Sequence, residues 1–164
     1  MKKILPGLAA LALLGCAHMP PFNSEYSEVR PLQDNTYSSV ERSASSLRLS
    51  VYTIEEGYDI LRKSWTRHDD TLGNCTGIEA YYMNEADNME ATLTDEACDG
   101  SVDSVYLPFQ GTFGRGIMTE AQRQQADDGL RQIKEWLSDY FDFNAEVDAW
   151  HEWQQQLAGS TQPP

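Results

Sequence analysis

The sequence predicts an α+β fold. A long N-terminal helix packs on a C-terminal helix or helix pair, with a small disulfide-stapled antiparallel β meander between them. Three observations predict it. Apolar residues over 37–65 recur at steps of three and four. Short runs rich in β-branched and aromatic residues follow over 78–109, the first two of them bracketed by Cys75 and Cys98. Helical spacing then returns after Thr119 and lasts to Leu157. An all-α fold with an irregular middle is the competing arrangement.

The chain opens with Lys2 and Lys3, then an apolar run over 4–14 broken only by Pro6 and Gly7. About eleven helical residues span roughly 16 Å, against a hydrocarbon core of about 30 Å. The run is too short to cross a bilayer. A basic start, a short apolar core and a small residue at the end instead describe a secretory signal peptide over 1–15. Its end, Leu13-Leu14-Gly15-Cys16, resembles the lipobox of bacterial lipoproteins. That resemblance covers the first sixteen residues and carries nothing about the domain that follows. It implies that the peptide is cut before Cys16, that the thiol carries a diacylated lipid, and that the new amino group is acylated too. Each buried methylene contributes about 0.8 kcal/mol, so two or three acyl chains hold far better than one. Ala17, rather than aspartate, follows the cysteine, which by analogy with enterobacterial sorting implies the outer membrane of a Gram-negative cell.

Residues 16–35 read as the lipidated cysteine and a flexible tether, with Pro20, Pro21 and Pro31 among Ser, Asn, Glu and Gln. A single globular domain is expected over 36–158 and a polar tail over 159–164. The first helix is read from Tyr37, Val40, Ala44, Leu47, Val51, Ile54, Tyr58, Leu61 and Trp65, with Asp34 or Asn35 as its cap. Leu47, Leu49 and Val51 also alternate as a strand would, and Gly57 interrupts the helical pattern, so strand-plus-helix is the alternative. Residues 68–77 are turn-rich. Residues 78–83, 89–93 and 105–109 form the expected meander, with Pro108 placing the third run at an edge. Residues 111–116, GTFGRG, read as a loop. Thr119 and Gln122 match a capping box. Beyond it Leu130, Ile133, Trp136, Leu137, Tyr140, Phe143, Val147, Trp150 and Leu157 keep helical spacing, either as one helix or as a hairpin broken near residues 142–144.

Of 12 basic residues, Lys2 and Lys3 fall in the signal peptide, so the mature chain sets 10 against 26 acidic residues, a formal charge of −16. Such a chain repels nucleic acid and anionic bilayer surfaces and attracts cations or a basic protein. Once Cys16 is lipidated, Cys75 and Cys98 remain. In an oxidising envelope compartment an even pair reads as a disulfide, and closing a loop of about 24 residues contributes roughly 3 kcal/mol.

Candidate chemistry is sparse. Trp150-His151-Glu152-Trp153-Gln154-Gln155 lacks the second histidine of a zinc-protease helix, because Gln155 stands in its place. Asp95, Asp99, Gly100 and Asp103 suggest a calcium loop, yet Ala97 and Tyr106 occupy positions an EF-hand fills with ligands. His18, His68 and His151 have no evident nucleophilic partner, and neither a phosphate-binding loop nor a serine-hydrolase motif occurs. No metal or cofactor is expected. Asp128, Glu135, Asp139, Asp142 and Glu146 fall close to one stripe if the last helix is continuous, and form the candidate partner-binding face. The expected function is therefore a lipid-anchored, non-catalytic binding or accessory protein of the cell envelope for a basic protein or envelope component, possible inhibitor and immunity types included. The rival class is an envelope enzyme acting on peptidoglycan or glycans through paired carboxylates.

Overall fold

The computed structural model describes residues 25–160. Eight antiparallel strands form one sheet in sequence order: β1 (Tyr26–Pro31), β2 (Thr36–Arg42), β3 (Ser46–Glu55), β4 (Tyr58–Asp69), β5 (Cys75–Asn84), β6 (Met89–Asp95), β7 (Ser104–Leu107) and β8 (Gly111–Gly114). Two helices follow, α1 (Glu120–Leu137) and α2 (Phe143–Ser160). This overturns the expected fold. There is no long N-terminal helix, and the sheet is the body of the domain rather than a small insert. The all-α alternative fails with it.

The physical reason lies in period and turns. In β3, Leu47, Leu49 and Val51 alternate with Arg48, Ser50 and Tyr52, and cross-strand register puts Val40 and Trp65 beside Leu49 on the same face. The steps of three and four mix residues of both faces with residues of turns: Tyr37 lies opposite Val40 in face, while Ala44 sits in a connection. Two-residue turns set the register. Asp34 and Asn35 have φ of 50° and 58°, and Glu56 and Gly57 have φ of 51° and 87°, the pattern of hairpins whose two central residues are both left-handed. Asp34 and Asn35 thus make a turn and cap no helix. Of the stretch read as tether, Tyr26–Pro31 is the edge strand β1, and residues 17–24 lie outside the described residues. Residues 111–114, read as loop, form the opposite edge, β8, so Pro108 sits in the turn beside an inner strand. The three runs expected in the middle do fall on β5, β6 and β7.

Both helices lie on one face of the sheet. Thr119 caps α1: its hydroxyl accepts the Gln122 N–H at 3.3 Å, while the Gln122 side chain accepts the Thr119 N–H at 2.8 Å. Its apolar stripe of Ala126, Leu130, Ile133 and Leu137 buries against the core that Leu47, Leu49, Val51, Ala80 and Leu93 supply from the strands. Residues 138–142 break the helical run, and Asp142 Oδ1 accepts the N–H groups of Asn144 and Ala145, both at 3.1 Å. The C-terminal stretch is therefore the hairpin. The ring of Phe143 meets Trp65 edge-on at 5.0 Å. Trp150 is fully buried and donates its indole N–H to the Ser43 carbonyl at 2.9 Å, and Gln154 donates to the Ala44 carbonyl at 2.7 Å. α2 thus clamps the connection between β2 and β3.

Cys75 and Cys98 form a disulfide, with Cα atoms 6.3 Å apart. It joins the start of β5 to the connection after β6.

Candidate functional site

The expected acidic stripe is taken apart by the break between the helices. Asp128 and Glu135 both hold Arg131, at 2.7 and 3.0 Å. Glu146 holds Arg42 at 3.2 Å, and Asp142 caps α2. Glu135, Asp139 and Asp142 do come together, around a shallow groove of about 780 Å³ at the α1–α2 turn, beside Lys134, Tyr140 and Phe143. The Lys134 ammonium lies 5.4 Å from the Phe143 ring. Of the stripe, Asp139 remains as the carboxylate with neither a salt bridge nor a capping role among the described residues.

The same economy runs through the domain. Arg30 pairs with Glu28, Arg62 with Asp59, Arg67 with Asp69, Arg115 with Asp127 and Arg123 with Glu120. Arg48 is buried and donates to the Thr66 hydroxyl, and Lys63 lies over the Trp136 ring at 3.8 Å. The acids are in excess and many have no cation. In an antiparallel meander alternate connections emerge at the same end of the sheet. At one end, Asp34 stands in the β1–β2 turn, Glu55 ends β3 and Glu56 stands in the β3–β4 turn, and Glu85 and Asp87 lie in the short 3-10 helix Glu85–Asp87 between β5 and β6. No salt bridge engages these five among the described residues. Tyr58 and Phe109 project at the same end, each 74% exposed. This acidic rim with two exposed rings is the candidate binding surface. Sequence reasoning missed it because it is assembled from hairpin tips, whereas Asp34 and Asn35 read as the tether's end and a helix cap and residues 37–65 as helix. The turn signals Asp34-Asn35 and Glu56-Gly57 could have revealed it.

The face of the sheet opposite the helices is polar. Register aligns Ser39, Ser50, Ser64, Tyr81 and Thr92 in a row across five strands. A second row of Tyr37, Tyr52 and Arg62 flanks it, with Tyr37 and Tyr52 stacked at 5.7 Å and the Arg62 guanidinium 4.2 Å above the Tyr52 ring. On the other side run Glu41, Arg48, Thr66 and Glu79. His68 lies 3.8 Å from Glu79 and, with its hydrogen bonding, holds that carboxyl below its usual range. Burial and the bond to Glu90 push the Tyr81 phenol up.

The remaining candidates have structural partners. Asp95 is fully buried and accepts the N–H groups of Asp99 and Gly100, Asp99 accepts that of Ser101, and Asp103 accepts that of Glu96. These carboxylates build the connection between β6 and β7. Among the described residues no group of three or more His, Cys, Asp or Glu side chains is placed to hold a metal ion. His151 meets Asp69 at 2.7 Å, and Asp69 also accepts from Arg67, so this histidine ties α2 to the end of β4. Lys63, 6% exposed and without a carboxylate partner in any described salt bridge, has its amine pushed down to about 8 by burial. Cys16, His18 and the whole signal peptide lie outside the described residues. No helix among the described residues is long and apolar enough to cross a membrane.

No family model, curated protein or solved structure matches the chain.

Proposed function

We propose that this chain is a lipid-anchored lipoprotein of the cell envelope, held in the outer membrane of a Gram-negative bacterium through Cys16, that binds a basic protein or envelope component without catalysis. The observation that carries the reading is the imbalance of pairing. The domain's arginines are engaged, whereas Asp34, Glu55, Glu56, Glu85 and Asp87 stand free of salt bridges at one end of the sheet beside exposed Tyr58 and Phe109. Carboxylates without a salt bridge beside exposed aromatic faces suit lysine and arginine side chains, by charge and by cation–π contact worth about 0.5–1 kcal/mol at an exposed site. An inhibitor or immunity role toward a cationic toxin or cell-wall hydrolase is the narrower form of the same reading.

The test is charge reversal. Asp34→Lys, Glu56→Lys and Glu85→Lys together should abolish salt-sensitive capture of the partner from envelope extracts and leave the thermal unfolding midpoint close to that of the parent. Partner capture unchanged by the three substitutions would move the binding surface elsewhere.

A further inference from the structure

The free side of β1 is complementary to itself. Among the described residues this edge strand pairs with β2 and with no other strand. The Leu32 N–H donates to the Thr36 carbonyl at 2.8 Å. Backbone groups alternate in direction along a strand, so Arg30, Glu28 and Tyr26 also turn their N–H and C=O groups toward β2. The Glu25 N–H meets the Arg42 carbonyl one place out of register, a bulge at the start of the strand. Ser27, Val29 and Pro31 therefore turn their backbone groups outward. Proline fits there because the ladder with β2 loses no donor. Val29 is 51% exposed and Leu32 39%. An open edge with apolar side chains recruits another strand unless charge or shape forbids it.

We propose that two copies of this chain join β1 to β1, antiparallel, with Val29 opposite the partner's Val29. In this register each Val29 donates its N–H to the other's carbonyl. The Ser27 N–H donates to the carbonyl of the partner's Pro31, and the two-fold axis repeats that bond. Parity is satisfied, and proline stands where only its carbonyl is used. Charge decides the occupant. Glu28 faces the partner's Arg30 and Arg30 the partner's Glu28, so the signs alternate around the axis. Within one copy these two side chains are bonded at 2.6 Å, which keeps the edge locally neutral on a chain of 26 acidic and 12 basic residues. A strand carrying acids alone would repel its own copy. Leu32 meets the partner's Tyr26 on the face that Glu28 and Arg30 share. On the other face, where Val29 lies beside Ser39, the two valines cover each other. The opposite edge, β8, spans only Gly111–Gly114, with a glycine at each end. Pairing through β1 closes at two copies, because it uses the same strand on both. One consequence rests on the binding reading above. The acidic rim lies at the β1–β2 turn, so the axis sends the two rims to opposite ends of the joined sheet, each open to a basic partner.

The test is crosslinking in whole cells that produce the full chain as Val29→Cys, treated with a short, membrane-permeant bismaleimide. Ser27→Cys is the control and the parent chain gives the background. Both positions are exposed on the same strand, but only position 29 meets itself. Two copies of position 27 stand about 14 Å apart, at about 3.4 Å per residue. Self-pairing predicts several-fold more crosslinked dimer at position 29 than at position 27. Added to Val29→Cys, either Glu28→Arg or Arg30→Glu sets like charges opposite each other and lowers the yield about fivefold, and the two together restore it. Equal yields at positions 29 and 27, or no recovery in the double exchange, would overturn the proposal. Thermal unfolding midpoints of the purified variants report whether each still folds. If a charge exchange lowers its midpoint, the comparison of positions 29 and 27 decides alone. The reagent reaches every compartment, and cell fractionation reports separately whether the chain is held in a membrane, so failure of the anchor and failure of the dimer are told apart.

Discussion

Replacing Lys63 by methionine should make the domain more stable at pH 7. The side chain points from the middle of β4 into the helix-covered face, where Val51 and Tyr82 are its cross-strand neighbours and Trp136 lies over it. Burial lowers its amine from 10.5 to about 8, a difference that corresponds to about 3 kcal/mol at about 1.4 kcal/mol per pH unit. The Trp136 ring returns part of this through a cation–π contact of about 1–2 kcal/mol. The net gain expected for Lys63→Met at pH 7 is about 1–2 kcal/mol, since the methionine keeps most of the volume without the charge. The pH dependence identifies the cause. Between pH 8 and 10.5 the unfolded chain holds the lysine proton and the folded chain has released it, so the parent gains stability as pH rises through that window. Below pH 8 the penalty is present in full. Urea unfolding of parent and variant at pH 7, 8, 9 and 9.5 should therefore show a gap that is widest at pH 7 and shrinks toward 9.5. The buried tyrosines are common to both proteins and drop out of the difference. A variant less stable than the parent at pH 7, or a gap constant with pH, would refute the reasoning.

Four further outcomes are expected. Trp150→Ala should cost about 3–5 kcal/mol and speed amide exchange through α2 and residues 43–45, because it removes the buried ring and its bond to the Ser43 carbonyl; exchange confined to the C-terminal turn would place the clamp elsewhere. Reduction of Cys75–Cys98 should lower stability by about 3 kcal/mol, with both thiols resistant to alkylation until reduced; free thiols in protein taken directly from the envelope would remove the staple. Thr119→Ala should cost about 1 kcal/mol through loss of the α1 cap, and no change in urea midpoint would show the cap to be dispensable. Cys16→Ser should leave the chain unprocessed or soluble, and unchanged detergent-dependent extraction would count against the anchor.

Local chemistry was legible in the sequence and long-range pairing was not. The Thr119–Gln122 capping box depends on four consecutive residues, and it forms as read. The Cys75–Cys98 bridge, which forms, was read from cysteine count and from an expected oxidising compartment. The runs that became β5, β6 and β7 are bounded by Asn, Asp and Gly clusters that mark their ends. Residues 37–65 misled because one apolar residue every three or four positions arises equally from a helix and from short strands joined by tight turns. Alternation through Leu47, Leu49 and Val51 was the better guide, since a pleated strand allows no other spacing on one face. Glu56 gave little warning of its left-handed φ, a conformation more typical of Asn or Gly. The acidic stripe failed for a related reason: Asp128 and Glu146 share a face only if no turn intervenes, and Asp142 caps the second helix there. The acidic rim, built from three separate hairpins, could be seen only once those hairpins were paired.

The most direct test of an acidic, membrane-held binding domain is site-specific photo-crosslinking in the native envelope. A photoreactive residue at Tyr58, on the acidic rim, is compared with one at Leu72, exposed in the β4–β5 connection at the other end of the sheet. The account predicts that Tyr58 captures a protein of basic isoelectric point, that Leu72 does not, and that high salt or the Asp34, Glu56 and Glu85 charge reversals abolish capture. Capture of the same proteins from both positions, or capture at Tyr58 that survives charge reversal, would contradict it.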